Sequence, residues 1–239
     1  MSSAPCFPSR VFGQAAVLIT ASLILAVFLL VGIGLRAAGT DWGRWWVNLL
    51  DGWFRLFLQY YHRYRFEPVP LPEQGAALLA GNHVSGLDPL LMIAACRRPV
   101  RFMIAREEYE RFGLRWFFRA GGCIPVDRDS RPEDAFREAL AALRRGEVVG
   151  IFPEGAIHTR DNPPKRLKRG VAVLARLSGA PVYPVRVSGI AAEGQVMLAV
   201  LKRARARLRV FAPLDCARLP QADCLERLQR ILRAEDEQG

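Results

Sequence analysis

Residues 11 to 35, VFGQAAVLITASLILAVFLLVGIGL, carry no charge. This run limits the fold more than anything else in the chain. As a helix it is ~37 Å long at ~1.5 Å per residue, enough to cross a ~30 Å hydrocarbon core with some tilt. A cleaved signal peptide would have an apolar region of only about 7–15 residues followed by a small-residue cleavage site. Here the run is longer, and Arg36 interrupts the site that Ala37 and Ala38 offer. Few soluble helices are apolar on every side, which argues against a buried core helix. The run therefore reads as a transmembrane anchor. Only Arg10 and the amino terminus precede it, whereas Arg36, Arg44, Arg55, Arg63 and Arg65 follow. The positive-inside rule then places the rest of the chain on the cytoplasmic face of the membrane.

The next segment, residues 41 to 66, is crowded with aromatics. Trp42, Trp45, Trp46 and Trp53 lie near its start and Tyr60, Tyr61 and Tyr64 near its end. Phe54, Phe57 and Leu58 fall at helical spacing, with Leu50 and Tyr61 one turn to either side. Trp and Tyr favour the headgroup level, and Arg can snorkel there. Two readings stay open: a helix lying in the membrane interface, and an amphipathic helix packed on a soluble core. His62 lies on this segment and needs no catalytic role.

From residue 76 short apolar runs alternate with helical stretches. Strands are expected at 76–80, 100–104, 123–126, 148–152, 181–187, 195–201 and 207–211. Helices are expected at 89–96, 109–118, 132–144, 170–177 and 221–233. This alternation predicts an α/β fold, a largely parallel sheet flanked by helices, joined to an N-terminal transmembrane helix and an interfacial amphipathic helix. The expected divisions are 1–35 for the tail and anchor, 36–75 for the interfacial helix and a proline-rich linker, and 76–239 for the α/β domain. In open sheets of this class, ligands bind beyond the carboxyl ends of the strands.

A formal net charge of +11 suits an anionic partner. The five cysteines form no C-x-x-C pair, so they read as reduced, small apolar residues rather than a disulfide framework or a thiolate metal site.

Three turns carry the chemistry. GNHVSGLDPLL, residues 81 to 91, holds one of only three histidines. Positions five apart diverge by about 140° on an unbroken helix, but Gly81, Gly86 and Pro89 argue against one. Asp88 before Pro89 reads as an N-cap with proline at the first helical position. A curled turn would let His83 and Asp88 meet, and the carboxylate would fix the ring's tautomer and stabilise its imidazolium. The plainer alternative makes Asp88 a cap and His83 a polar turn residue. GCIPVDRD, residues 122 to 129, delivers Asp127 and Arg128 at a strand end. IFPEGAIHTR, residues 151 to 160, breaks at Pro153 and presents Glu154 and Gly155.

Taken in order, these blocks resemble the 1-acylglycerol-3-phosphate acyltransferase family, the lysophosphatidate acyltransferases and their relatives. Asn82, His83 and Asp88 match its first block, Gly122 through Arg128 its second, and Phe152 to Gly155 its third, with LKRG at 167–170 following. APVYPVRVSG at 180–189 matches the fourth. The resemblance implies transfer of a fatty acyl group from an acyl-CoA or acyl-carrier-protein thioester to a lysophospholipid hydroxyl, with membrane lipids around it and no further cofactor or metal. It implies His83 as general base, oriented by Asp88, and a substrate-binding set of Asn82, Arg128, Glu154 and Gly155. Arg128 would meet the acceptor phosphate through paired guanidinium bonds. Ser85 is read as a turn hydroxyl, not a nucleophile. The sequence departs from the family where Thr-Arg often follows the third block: Ala156 and Ile157 stand there instead. Arg160, Lys165 or Lys168 would then supply the missing cation, or the acceptor is a different lysolipid or an amino-acid lipid.

Two rivals remain. LKRARARLR, residues 201 to 209, alternates arginine with apolar residues and suits a membrane-anchored module that binds anionic ligands. No nucleic-acid motif accompanies it, so no nucleic-acid partner is expected. A metallohydrolase built on His83, Asp88 and His158 has few imidazoles to draw on.

Overall fold

In the computed structural model the described residues are 9–127, 132–159 and 166–233. The chain opens with α1 (Ser9–Ala37), which is long and apolar enough to cross a membrane. Its described side chains are exposed along nearly the whole length, with Gly34 buried near the end. There it meets α2 (Trp45–Tyr60) so closely that a Cβ on Gly52 would run into the Gly34 carbonyl oxygen. Small residues at a helix crossing permit this approach of backbones.

After α2 come β1 (Arg65–Phe66), β2 (Ala77–Gly81), α3 (Asp88–Ala94), β3 (Val100–Ala105), α4 (Arg106–Tyr109), α5 (Arg115–Ala120) and β4 (Ile124–Val126). The remainder is α6 (Pro132–Arg144), β5 (Val148–Ile151), α7 (Gly170–Ser178), β6 (Val182–Ser188), α8 (Met197–Leu201), β7 (Arg207–Val210) and α9 (Gln221–Arg233). The sheet order is β1-β7-β6-β2-β5-β3-β4, and every neighbouring pair is parallel except β6 with β7. The expected α/β architecture is present.

β2 lies at the centre and is buried throughout, which explains its unbroken apolar sequence, Ala-Leu-Leu-Ala-Gly. Its side chains alternate between two cores. Ala77 and Leu79 join Leu58, Leu87, Leu91 and Phe102 on one face. Leu78 and Ala80 join Ala139, Leu143, Leu174 and Leu228 on the other. Helix α6 presents Ala135, Ala139, Ala142 and Leu143 to that second core, an i, i+4, i+7, i+8 stripe.

Several expectations are corrected. Residues 195–201 form no strand: after Gln195 the run is apolar without alternation, and 197–201 make helix α8. The helix expected over 109–118 is broken at Gly113, whose φ of 78° is left-handed, leaving α4 and α5 as separate short helices. β1 was not anticipated, because two residues carry no periodicity. Cys216 and Cys224 are joined as a disulfide across a separation of 8. The reading of all cysteines as reduced fails for this pair, which an odd count and the lack of a C-x-x-C spacing hid.

Helix α2 packs on the domain through Val47, Asp51 and Leu58 while exposing Trp45, Trp53 and Tyr60. Arg55 does not snorkel. Its guanidinium bonds Asp51 at 2.8 Å, the carbonyl oxygens of Ala94 and Cys96 at 2.6 and 3.0 Å, and the Thr40 hydroxyl at 3.0 Å. It therefore satisfies carbonyls at the end of α3 that have no intrahelical donor.

Candidate active site

The site is built on the turn between β2 and α3. Asp88 is fully buried and opens α3, with Leu87 as the N-cap. The expectation that Asp88 is itself the cap is corrected: its carboxylate turns back over the preceding residues. Oδ2 accepts the backbone N–H groups of Val84 and Ser85 at 2.7 and 2.8 Å and faces His83 Nδ1 at 3.0 Å. Ser85 Oγ donates to Oδ1 at 2.7 Å and accepts the Leu87 N–H. Four donors therefore converge on one buried carboxylate and orient it toward the imidazole.

The other face of His83 is fixed as well. Its ring stacks on Phe152 with centroids 4.0 Å apart and planes 12° apart. Its backbone N–H donates to Glu154 Oε2 at 2.9 Å, and its carbonyl accepts the His158 N–H at 2.8 Å. The side chain is 18% exposed, and Nε2 has no protein partner among the described residues. An imidazole with one nitrogen held by a carboxylate and the other open to a ligand is arranged to take a proton.

Glu154 is buried, and burial raises its carboxyl above the ordinary range; the His83 N–H and the charges of His158, His83 and Arg233 act the other way. Its contact shapes the His83 turn from the next strand. Gly155 has φ of 78°, and a Cβ there would strike the Lys168 side chain, which lies across it. Lys168 is thus brought to the third block, with its backbone N–H on the Pro153 carbonyl at 2.7 Å. Asn82 has both ends of its side-chain amide on the backbone of β6. Its amide accepts from Val187 N at 2.7 Å and donates to Val187 O at 2.9 Å, tying the end of β2 to the end of β6. Arg128, Arg160 and Lys165 lie outside the described residues. Among the described residues no three His, Cys, Asp or Glu side chains group closely enough to hold a metal ion.

One feature was not legible in the sequence. An apolar cavity of about 60 Å³ lies under α2 and α3, lined in part by Phe54, Leu58, Leu90, Ile93, Phe117 and Cys123. Its walls come from α2, α3, β3 and α5 and the loops beside them, so no local pattern announces it. Burial pushes the Cys123 thiol up to about 12, which makes it an inert lining residue.

Comparison with known proteins gives a consistent picture. Residues 65–188 match the acyltransferase family model, a span that includes His83, Asp88, Glu154 and Gly155. The chain is 25% identical over 166 residues to a 1-acyl-sn-glycerol-3-phosphate acyltransferase of Bacillus subtilis, covering 68% of this chain and 80% of that protein. It is 31% identical over 118 residues to an N-acylphosphatidylethanolamine synthase of Arabidopsis thaliana, covering 45% of this chain and 41% of the relative. The crystal structure of the 1-acyl-sn-glycerophosphate (LPA) acyltransferase from Thermotoga maritima shares the fold, with a TM-score of 0.63 at 18% identity, covering 81% of this chain and 80% of that one.

Proposed function

The chain belongs to the acyltransferase family, and from that premise we propose that it is a membrane-bound O-acyltransferase moving a fatty acyl group from a thioester to a lysophospholipid hydroxyl. The acceptor of first choice is 1-acylglycerol-3-phosphate, the substrate class in the name of the Bacillus subtilis relative. The observation that carries the mechanism is the 3.0 Å contact of His83 Nδ1 with buried Asp88, with Nε2 left open.

In this reading His83 Nε2 removes the acceptor hydroxyl proton as that oxygen bonds to the acyl carbonyl carbon. The carbon–sulfur bond then breaks, and the thiolate takes up the proton from the imidazolium. Asp88 stabilises the charged ring meanwhile. No enzyme nucleophile is needed, because a thioester is already activated. A positioned base contributes about 10²–10⁴-fold. Arg128 grips the acceptor phosphate, and Lys168 beside Gly155 supplies a second cation. Glu154 and Asn82 hold the His83 turn in place. The donor's acyl chain follows the apolar lining between α2, α3 and α5.

Helix α1 spans the bilayer in this account, and the exposed Trp45, Trp53 and Tyr60 of α2 lie at the headgroup level. Flanking charge favours a cytoplasmic catalytic domain. The Cys216–Cys224 disulfide favours the opposite face, since such bonds are uncommon in reducing compartments. Protease accessibility of the domain in sealed, oriented vesicles separates the two.

A second acceptor reading, another lysolipid or an amino-acid lipid, is favoured by Ala156 and Ile157 standing where the family often has Thr-Arg. One experiment tests both. The purified full chain is incubated with labelled acyl thioester and a panel of lysolipids, and the product is identified by mass. Labelled phosphatidate as the main product supports the first reading. Labelled product from another acceptor supports the second, and no labelled lipid from any acceptor contradicts both.

A further inference from the structure

A basic groove lies beside the segment that follows β6, and the acyl-transfer reading makes no use of it. It is open, has a volume of about 490 Å³, and is lined by Arg63, Arg203 and Arg205 around Gly189, Ile190 and Ala204. Its two walls come from distant parts of the chain. Tyr61 Oη donates to the Leu201 carbonyl at 2.6 Å across 140 positions, and His62 Nε2 donates to the Val200 carbonyl at 3.0 Å. The Ala206 N–H closes the seam on the His62 carbonyl.

Both walls change character at the same level. One passes from exposed Tyr60 and Tyr61 to exposed Arg63; the other passes from exposed Leu198 and Leu201 to exposed Lys202, Arg203 and Arg205. Arg63 keeps this place with φ of 48°, a left-handed conformation that non-glycine residues adopt at a cost. Among the described residues no ion pair engages Arg63, Arg203 or Arg205, whereas Arg55, Arg101 and Arg145 each have a carboxylate partner.

We propose that this groove binds the phosphate headgroup of an anionic phospholipid in the leaflet that holds α1. Three guanidinium groups around one groove call for a counter-anion, and each can grip phosphate through paired N–H bonds. The apolar-to-basic step on both walls selects a lipid over a soluble anion. Tyr and Leu suit the acyl and headgroup boundary, with arginine at the phosphate level. The groove's Gly189 wall leads into the loop that holds the catalytic turn, where Gly194 N donates to the Val84 carbonyl at 2.8 Å. A bound headgroup is therefore one loop away from His83.

The proposal rests on α1 lying in a bilayer but not on acyl transfer. Extraction of the full chain from vesicles by alkaline carbonate would overturn the membrane placement itself, without any lipid assay. The direct test uses the full chain in neutral detergent, with phosphatidylglycerol and phosphatidylcholine as probes and bound lipid counted by native mass spectrometry. Each basic residue at an anionic surface contributes on the order of fivefold. Wild type is expected to prefer phosphatidylglycerol by at least roughly tenfold. Arg63→Gln/Arg203→Gln/Arg205→Gln should lose that preference, while Arg137→Gln/Arg218→Gln/Arg230→Gln, which removes the same charge elsewhere, should keep it. If the triple groove variant does not fold, Arg203→Gln/Arg205→Gln leaves the strained turn intact and should show the same loss. Retention of the preference in the groove variant, or equal loss in the charge-matched one, overturns the proposal. So does displacement of bound phosphatidylglycerol by inorganic phosphate or free coenzyme A, which would mark a soluble-anion site.

Discussion

At the scale of single residues, the site depends on how few ways a short turn can be satisfied. Asp88 accepts from two backbone N–H groups and the Ser85 hydroxyl as well as facing His83, so it cannot move without leaving buried donors unpaired. Glu154 does a similar task from β5's end by accepting the His83 N–H. Glu154→Gln keeps an acceptor there and is expected to hold kcat within about tenfold of wild type. Glu154→Ala leaves a part-buried N–H without its acceptor, worth roughly 1–3 kcal/mol, and should lower kcat by about ten- to a hundredfold. Equal kinetics for the two variants would show that the carboxylate does not act through this bond. His83 and Asp88 were legible because five residues and a glycine-rich turn enclose their geometry. The Asn82 clamp was not: its partner Val187 lies 105 positions away, and no local pattern encodes that meeting.

At the scale of elements, one contact holds the apolar hairpin together and another joins it to the catalytic domain. In the first, Gly52 lies against Gly34, where a side chain has no room. Gly52→Val should splay α1 from α2 and lower the melting temperature of the detergent-solubilised chain by several degrees, since overpacking costs about 1–3 kcal/mol. An unchanged melting temperature would mean that the close approach is not sustained. In the second, His62 is buried at the seam between α2 and α8, with Nε2 donating to Val200 and Nδ1 buried with no hydrogen-bond partner among the described residues. Burial is the main cause that lowers its pKa below 6.5, against the opposing Val200 bond. The folded state therefore binds fewer protons than the unfolded one as pH falls through 6.5 toward the depressed value. His62's contribution is complete above 6.5 and is lost across that window. Between pH values on either side of 6.5, wild type should lose more melting temperature on acidification than His62→Gln, which still donates to Val200 but does not titrate. Parallel losses would contradict this. The sequence marked both helices but not their docking: Arg55 looked like a snorkelling cation, and its carbonyl partners on α3 are about 40 positions away. Helix α8 was misread because five apolar residues without alternation look alike in a short strand and a short helix. Gly113 carried a break signal that the apolar periodicity around it outweighed.

At the scale of the whole molecule, one line of contacts runs from the apolar hairpin to the candidate site. The α1–α2 hairpin grips the carboxyl end of α3 through Arg55, and the opposite end of α3 carries Asp88 and thereby His83. An apolar helix, exposed aromatics and an imidazole on one path are the arrangement that the proposed transfer to a membrane lipid calls for. The parallel sheet and the order of its motif blocks were readable from alternating apolar runs and strand-end turns. The apolar cavity and the basic groove were not, because each is assembled from segments that only the fold brings together. The central claim is that His83 carries the proton. It is tested most directly by steady-state turnover of His83→Ala in vesicles, with lysophosphatidate and an acyl thioester as substrates and the melting curve as the check on folding. A folded variant slowed by about 10²–10⁴-fold is the expected result. A folded His83→Ala chain that turns over at close to the wild-type rate would contradict the account.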